Sequence, residues 1–332
     1  MEGTERKNIF KKVLQVVLPL LLGVFILVYV YQDFNFQRVG EVLWGGMEYT
    51  WILLSLAFGV LANLFRGWRW KLALEPLNEY PKASHCAYAI FISYASNLVI
   101  PRVGEITRCG VLSKYDQVSF SKSLGTVVSE RMIDTLCVVL ITGVVLLLQM
   151  PMFATFFAET GTDLGRYTEV LISGHFYLII LCVLAAIMLV FFMIRNIALF
   201  AKLKGILQNV WQGAVALKDI RQKPLYLMCT VGIWVSYFLE FYLAFFAFEF
   251  SSHLGVSVGL VMFVVGTLAV IVPTPNGAGP WHFAIMTMLM LYGVGKEDAG
   301  IFALLVHGIQ TFLLILLGIY GLLALSFINK TK

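Results

Sequence analysis

Apolar residues gather in long unbroken blocks, without the period-two alternation of a half-buried strand. Strong runs lie at 13–31, 51–74, 124–149, 174–194, 225–250 and 300–327. At about 1.5 Å per residue, each is long enough to cross a hydrocarbon core of roughly 30 Å as a helix. The first run begins after Lys11 and Lys12 and leads to Tyr29, Tyr31 and Phe34, with no small-x-small cleavage site. It reads as an uncleaved signal anchor. Two further regions are apolar but interrupted. One, 84–123, breaks at Asn97-Leu98-Val99-Ile100-Pro101-Arg102-Val103-Gly104-Glu105; the other, 256–293, breaks at Pro273-Thr274-Pro275-Asn276-Gly277-Ala278-Gly279-Pro280.

Composition turns these blocks into a membrane assignment. Of the 332 residues, 60% are hydrophobic and 13% charged. Ordinary soluble domains are about 45–50% apolar and about 25% charged, so this chain has too much apolar surface to hide in a globule. Soluble enzymes, disordered chains and secreted disulfide scaffolds are excluded. So are outer-membrane barrels, whose strands alternate over only about 10 residues.

Basic residues decide how the two broken regions run. If both enter and leave on one side, six full spans remain and both termini are cytoplasmic. All 24 lysines and arginines except Arg38, Arg166 and Lys296 then lie inside. A complete crossing at 84–100 would instead put Arg102, Arg108, Lys114 and Lys122 outside. The expected fold is therefore an all-α polytopic integral membrane protein, with about six full transmembrane helices and two re-entrant hairpins. It forms one transmembrane domain over 1–332, placed in the bacterial inner membrane. Its halves, about 13–150 and 174–328, have opposite orientation, the inverted-repeat logic of many transporters. Trp44 and Trp51 at one end of a span, and Trp68 and Trp70 at the other, read as interface anchors.

The polar residues inside this framework are the candidates for function. Arg102, Glu105 and Arg108 recur at spacings of three, roughly one helix face. A helix starting at Pro101 would add free N–H groups to two guanidinium groups, a combination suited to phosphate; Glu105 would hold an arginine in place. Glu130 and Asp134 form an i, i+4 pair beside Arg131, at a depth where charges usually face a bundle interior. A structural ion pair is the alternative reading. In the second broken region, Asn276, Gly277 and Gly279 precede His282. The glycines permit positive φ and close approach, and the histidine would bind an anion, relay a proton or simply pack. Glu240 lies mid-span among tyrosines and phenylalanines, so it is expected to face the same cavity.

Catalytic signals are poor. HExxH, Walker, GxGxxG and GxSxG patterns are absent. The five cysteines, Cys86, Cys109, Cys137, Cys182 and Cys229, are scattered and read as small buried hydrophobes. No metal or cofactor is expected, and no basic block points to nucleic acid.

Together these motifs resemble the lysylphosphatidylglycerol synthase transmembrane-region family, also called flippase-like. The likeness rests on Pro101-Arg102-Val103-Gly104-Glu105 with Arg108, then Glu130-Arg131 with Asp134, then Pro273-x-Pro275-x-Gly277-x-Gly279. Leu64-Phe65-Arg66-Gly67-Trp68-Arg69-Trp70 fits the family's early arginine-tryptophan pattern. The resemblance implies a domain related to the lipid-translocating part of aminoacyl-phosphatidylglycerol synthases. The soluble aminoacyl-transferring domain of those proteins has no counterpart in this sequence, so synthase activity is not expected. Two positions depart from the family pattern: Asn276 stands where a glycine is common, and His282 stands near an acidic position.

Three functions compete at this point. The leading one is a translocator of a membrane lipid or a polyprenyl-linked glycan. In it, Arg66, Arg102 and Arg108 engage a phosphate from inside, and Asn276, Gly277, Gly279 and His282 receive it on the other side. The second is a membrane-embedded transferase with Glu105 or Glu130 as base. The third is a scaffold for a separate synthase or glycosyltransferase.

Overall fold

The structure is a computed structural model and describes residues 2–32, 34–149, 211 and 216–330. The predicted span 174–194, and most of the basic connection 195–223 with it, lie outside the described residues. The first half consists of α1 (Glu2–Tyr31), α2 (Phe36–Gly45), α3 (Tyr49–Leu74), α4 (Ala83–Val99), α5 (Gly104–Asp116) and α6 (Phe120–Leu148). The second half consists of α7 (Lys223–Leu243), α8 (Val256–Ala269), α9 (Pro280–Leu291) and α10 (Lys296–Lys330). Among the described residues the only β pairing is an isolated bridge between Met47 and Phe248.

Four helices, α3, α6, α7 and α10, are long and apolar enough to cross a membrane. Helices α1 and α2, turned from each other by 87°, add a fifth if the bent pair is one span. This matches the predicted spans with the sixth outside the described residues. Helix α2 buries none of its residues. Its Arg38 instead reaches the first turn of α10, at 2.7 Å from both Glu297 and Asp298.

The two broken regions are helical hairpins. Helices α4 and α5 have 17 and 13 residues, about 26 and 20 Å at the α-helical rise. Helices α8 and α9 have 14 and 12 residues, about 21 and 18 Å. None reaches a core of roughly 30 Å. The first hairpin opens beside the C-terminal end of α3: His85 Nδ1 lies 2.9 Å from Asp116 at the open end, and Lys122 at the start of α6 pairs with Glu79 at 2.9 Å. Helix α7 runs antiparallel to α3. Its first turn packs with Leu72 and Ala73, while Glu48 N–H donates to Ala247 C=O at 2.9 Å at the far end. The second hairpin therefore opens beside the N-terminal end of α3. The hairpins enter from opposite faces, and their apices meet where α4 packs against the Pro275–Gly277 turn.

The two largest packing centres among the described residues hold this arrangement. One is aromatic, with Tyr31, Phe241, Phe245, Phe248, Trp281 and Phe302, and joins α1, α7, α9 and α10. The other, around Trp70, Leu74, Cys86, Cys109 and Leu112, joins the first hairpin to α3. Glycines let helices approach closely, as is usual in lipid. A Cβ at Gly67 would lie 2.9 Å from the Ala87 backbone, and one at Gly318 would overlap the Ala95 methyl. The hairpin apices, by contrast, present apolar side chains outward: Val99 is 69% exposed and Ile271 63%. Such side chains are favoured in hydrocarbon.

Two sequence expectations need correction. Helix α5 starts at Gly104, not Pro101. Ile100–Val103 forms a turn closed by Val103 N–H to Ile100 C=O at 3.3 Å, and Asn97 Oδ1 accepts the Gly104 N–H at 2.8 Å. Pro101 thus occupies the second position of a turn, where its fixed φ is equally suited. Trp70 is not an interface anchor. It is fully buried and donates from Nε1 to Thr126 Oγ1 at 3.0 Å. Trp44 and Trp68 are exposed, at 82% and 45%.

Candidate functional site

Most of the predicted charges converge between α3, α5 and α6. Arg66 and Arg69 lie one turn apart on α3, Arg108 on α5, and Glu130 and Asp134 one turn apart on α6. Arg66 Nη1 and Arg69 Nη2 each lie 2.7 Å from an Asp134 oxygen. Glu130 accepts from Arg69 Nε at 3.3 Å and from Arg108 Nη1 at 2.8 Å. All five residues are buried. The Arg108 guanidinium also lies 4.6 Å from the centre of the Trp70 ring, a cation–π geometry. Arg131 extends the cluster outward, 3.2 Å from Asp134 and 3.7 Å from Glu105.

This cluster carries more positive than negative charge. Four guanidinium groups meet the three carboxylates of Glu105, Glu130 and Asp134. Arg66 Nε, Arg69 Nη1 and Arg108 Nη2 are buried without a hydrogen-bond acceptor among the described residues. In a low-dielectric interior an uncompensated charge acts over long range, so the cluster is a source of positive potential in the membrane.

A cavity of about 390 Å³ lies beside it. Its polar lining comes from Asn63 on α3, Tyr94 on α4, Arg131 on α6, Tyr237 and Glu240 on α7, Thr267 on α8, Asn276 in the apical turn, and His307 and Gln310 on α10. Trp234, Phe241, Phe263 and Trp281 supply aromatic walls. Tyr94 and Tyr237 hydroxyls meet at 2.9 Å, and the Arg66 guanidinium lies 5.7 Å from the Tyr237 ring centre. Arg131 belongs to both the cavity wall and the basic cluster.

The apical turn is held by a chain of hydrogen bonds. Asn276 has φ +52°. It donates from Nδ2 to Thr311 Oγ1 at 2.8 Å, and its carbonyl lies 3.1 Å from His307 Nε2. A carbonyl only accepts, so His307 carries its proton on Nε2, and Thr311 hydroxyl is left to donate to Nδ1 at 3.5 Å. Gly277 and Gly279 both have positive φ, +72° and +92°, as the sequence led one to expect. Gly279 sits against Gly23 C=O in the middle of the first apolar run, which puts the apex at mid-span depth along α1.

The predicted site residues thus divide into groups. Arg66, Glu105, Arg108, Glu130, Arg131 and Asp134 form the cluster. Arg131, Glu240 and Asn276 line the cavity. Gly277 and Gly279 shape the turn. His282 stands behind Trp281 and packs against Tyr31, with ring centres 5.9 Å apart; its Nδ1 lies 3.4 Å from Gly279 N–H, as a helix cap. Arg102 sits apart, exposed at the tip of the first hairpin with φ +65°, and no ion pair to it is found among the described residues. The sequence reading missed Arg69, Asn63, Tyr94, Tyr237 and His307 as site residues. Histidine inside the 300–327 run was a usable signal, since ionisable residues in apolar spans are functional by default.

The family described as the lysylphosphatidylglycerol synthase TM region matches residues 16–318. The UPF0104 membrane protein MJ1078 of Methanocaldococcus jannaschii is 26% identical over 231 residues, covering 68% of this chain and 91% of that protein. No solved structure matches.

Proposed function

Because the chain belongs to the lysylphosphatidylglycerol synthase TM region family, we propose that it moves a lipid with a phosphate-bearing head group across the membrane. The route is the cavity where its two hairpins meet. One observation carries the reading: Arg131 is shared by that cavity and by a buried cluster with one guanidinium in excess. A head group entering from the interface meets positive potential at mid-depth, where a phosphate otherwise pays a heavy desolvation penalty. Lipid tails stay outside, along the apolar apices. The face bearing Lys71, Lys82, Lys114, Lys122 and Lys223 is cytoplasmic by the positive-inside rule, and the hairpins form the centre of an inverted repeat.

Arg102, at the tip of the first hairpin, is a mid-depth contact for the phosphate. It occupies the third position of its turn in the left-handed region, which costs a non-glycine residue about 1 kcal/mol. Strain kept at an exposed arginine fits a functional role. Arg102→Gly is expected to leave the melting temperature unchanged or slightly raised, yet to slow lipid movement. The assay is purified protein in vesicles containing fluorescent phosphatidylglycerol, with a membrane-impermeant quencher reading the outer leaflet. Loss of inner-leaflet protection in vesicles with the protein, and not in empty ones, is expected. Equal kinetics in both would remove the translocation reading.

A further inference from the structure

We propose that Glu240 is a proton-binding site whose occupancy governs the cavity's affinity for the phosphate, making lipid movement proton-linked. The coupling part rests on the translocation reading above; the proton site itself does not.

The geometry around Glu240 is short of donors. Its carboxyl group lies against Gly59 of α3: a Cβ built at Gly59 would overlap Glu240 Oε1 and come within 2.7 Å of Cδ. One turn along α3, Asn63 donates from Nδ2 to Gly59 C=O at 2.8 Å. That bond fixes the amide orientation, since the opposite one would set two acceptors together. Asn63 is 3% exposed and lines the same cavity, and its Oδ1 is buried with no hydrogen-bond donor among the described residues. Two acceptor groups, a carboxyl and an amide oxygen, therefore flank one glycine. No ion pair to Glu240 is found among the described residues. A proton on Glu240 turns its carboxylate into a neutral group with one hydrogen to donate, in a cavity whose wall already carries an unpaired acceptor at Asn63 Oδ1 among the described residues.

Other groups facing the cavity do not take this role. Arg131 on α6 is committed to Asp134 and Glu105. Tyr94 on α4 and Tyr237 on α7 bond each other. His307 on α10 spends Nε2 on Asn276 C=O. Helix α8 brings only Thr267 and apolar groups, and α9 brings Trp281. Glu240 is thus the one carboxylate among the described lining residues. Protonated, it leaves Arg131 to set the sign of the cavity, which then attracts phosphate. Ionised, it cancels that charge and repels the head group. The step moves one proton between water and the carboxyl, with no other reactant.

Infrared difference spectroscopy across a pH series, on protein in lipid nanodiscs, tests the site directly. The wild type is expected to show a protonated-carboxyl C=O band that disappears in Glu240→Gln. In Asn63→Ala, which removes the unpaired acceptor one turn from Gly59 on α3, the band should remain. Absence of the band in wild type, or its persistence in Glu240→Gln, would overturn the proposal. In vesicles with a pH gradient, the wild-type rate for fluorescent phosphatidylglycerol should change by up to about tenfold per pH unit, the change in the protonated-to-ionised ratio, and the Glu240→Gln rate should not respond. The expected band without lipid movement in any vesicle would uphold the proton site and remove the translocation reading. Lipid movement without the band would do the reverse.

Discussion

Glu130→Gln is expected to remove about 3–5 kcal/mol of stability, the usual consequence of deleting one partner from a buried ion pair. Glu130 is fully buried and bonds both Arg69 and Arg108. Without its charge, three buried guanidinium groups face Asp134 alone. Removing a cation as well should relieve the imbalance, so Glu130→Gln with Arg108→Gln is expected to be less unstable than the two single losses added together. Tryptophan-fluorescence melting of the four proteins in detergent gives this double-mutant cycle. Strict additivity would mean that the cluster is not an energetic unit.

Gly279→Val is the second large effect. Gly279 has φ +92° and ψ −75°, a conformation closed to a β-branched residue. A Cβ there would also lie 2.8 Å from Gly23 C=O and 3.0 Å from Ile26 Cβ on α1. Backbone strain of about 1–3 kcal/mol and overpacking of about 1–3 kcal/mol act together, and neither is relieved by a rotamer change. The expected result is loss of lipid movement and a clearly lower melting temperature. Gly277→Val should be milder in packing terms, because its Cβ would meet the Val270 side chain at 2.8 Å, and that side chain has room to turn. Vesicle assays on both variants check the order; wild-type rates for Gly279→Val would show that the apex tolerates reshaping.

These outcomes depend on features with different visibility in the sequence. The spans and the two breaks were legible because the bilayer imposes length, and because proline and glycine interrupt helices for local reasons. The start of α5 was not, since its first N–H is capped by Asn97 across the turn. The pairing of charges was legible only within a helix. Glu130 and Asp134 stand out at i, i+4, but their partners Arg66 and Arg69 come from more than sixty positions earlier, and no local rule joins them. Arg108 shows the same limit. Its spacing from Arg102 suggested a shared phosphate site, yet burial against Glu130 and Trp70 takes it into the cluster and leaves Arg102 outside. The histidines are placed by tertiary packing alone: His282 turns back to cap its own helix, and His307, about three turns into a different span, faces the cavity with its ring centre 4.5 Å from that of His282.

The central claim is that two hairpins opening on opposite faces meet at mid-membrane around the cavity. Spin labels at Val99 and Ile271, one on each apex and both facing outward, measure this directly. The reference labels are Lys114, on the helix that ends at the first hairpin's open end, and Lys296, which begins α10 just past the second hairpin. Depth follows from the relative access of oxygen, which concentrates in hydrocarbon, and of a water-soluble nickel reagent. Both apical labels are expected to read as the deepest of the four. An Ile271 label as open to the nickel reagent as that at Lys114 or Lys296 would mean that residues 256–293 cross the membrane completely, and would contradict the account.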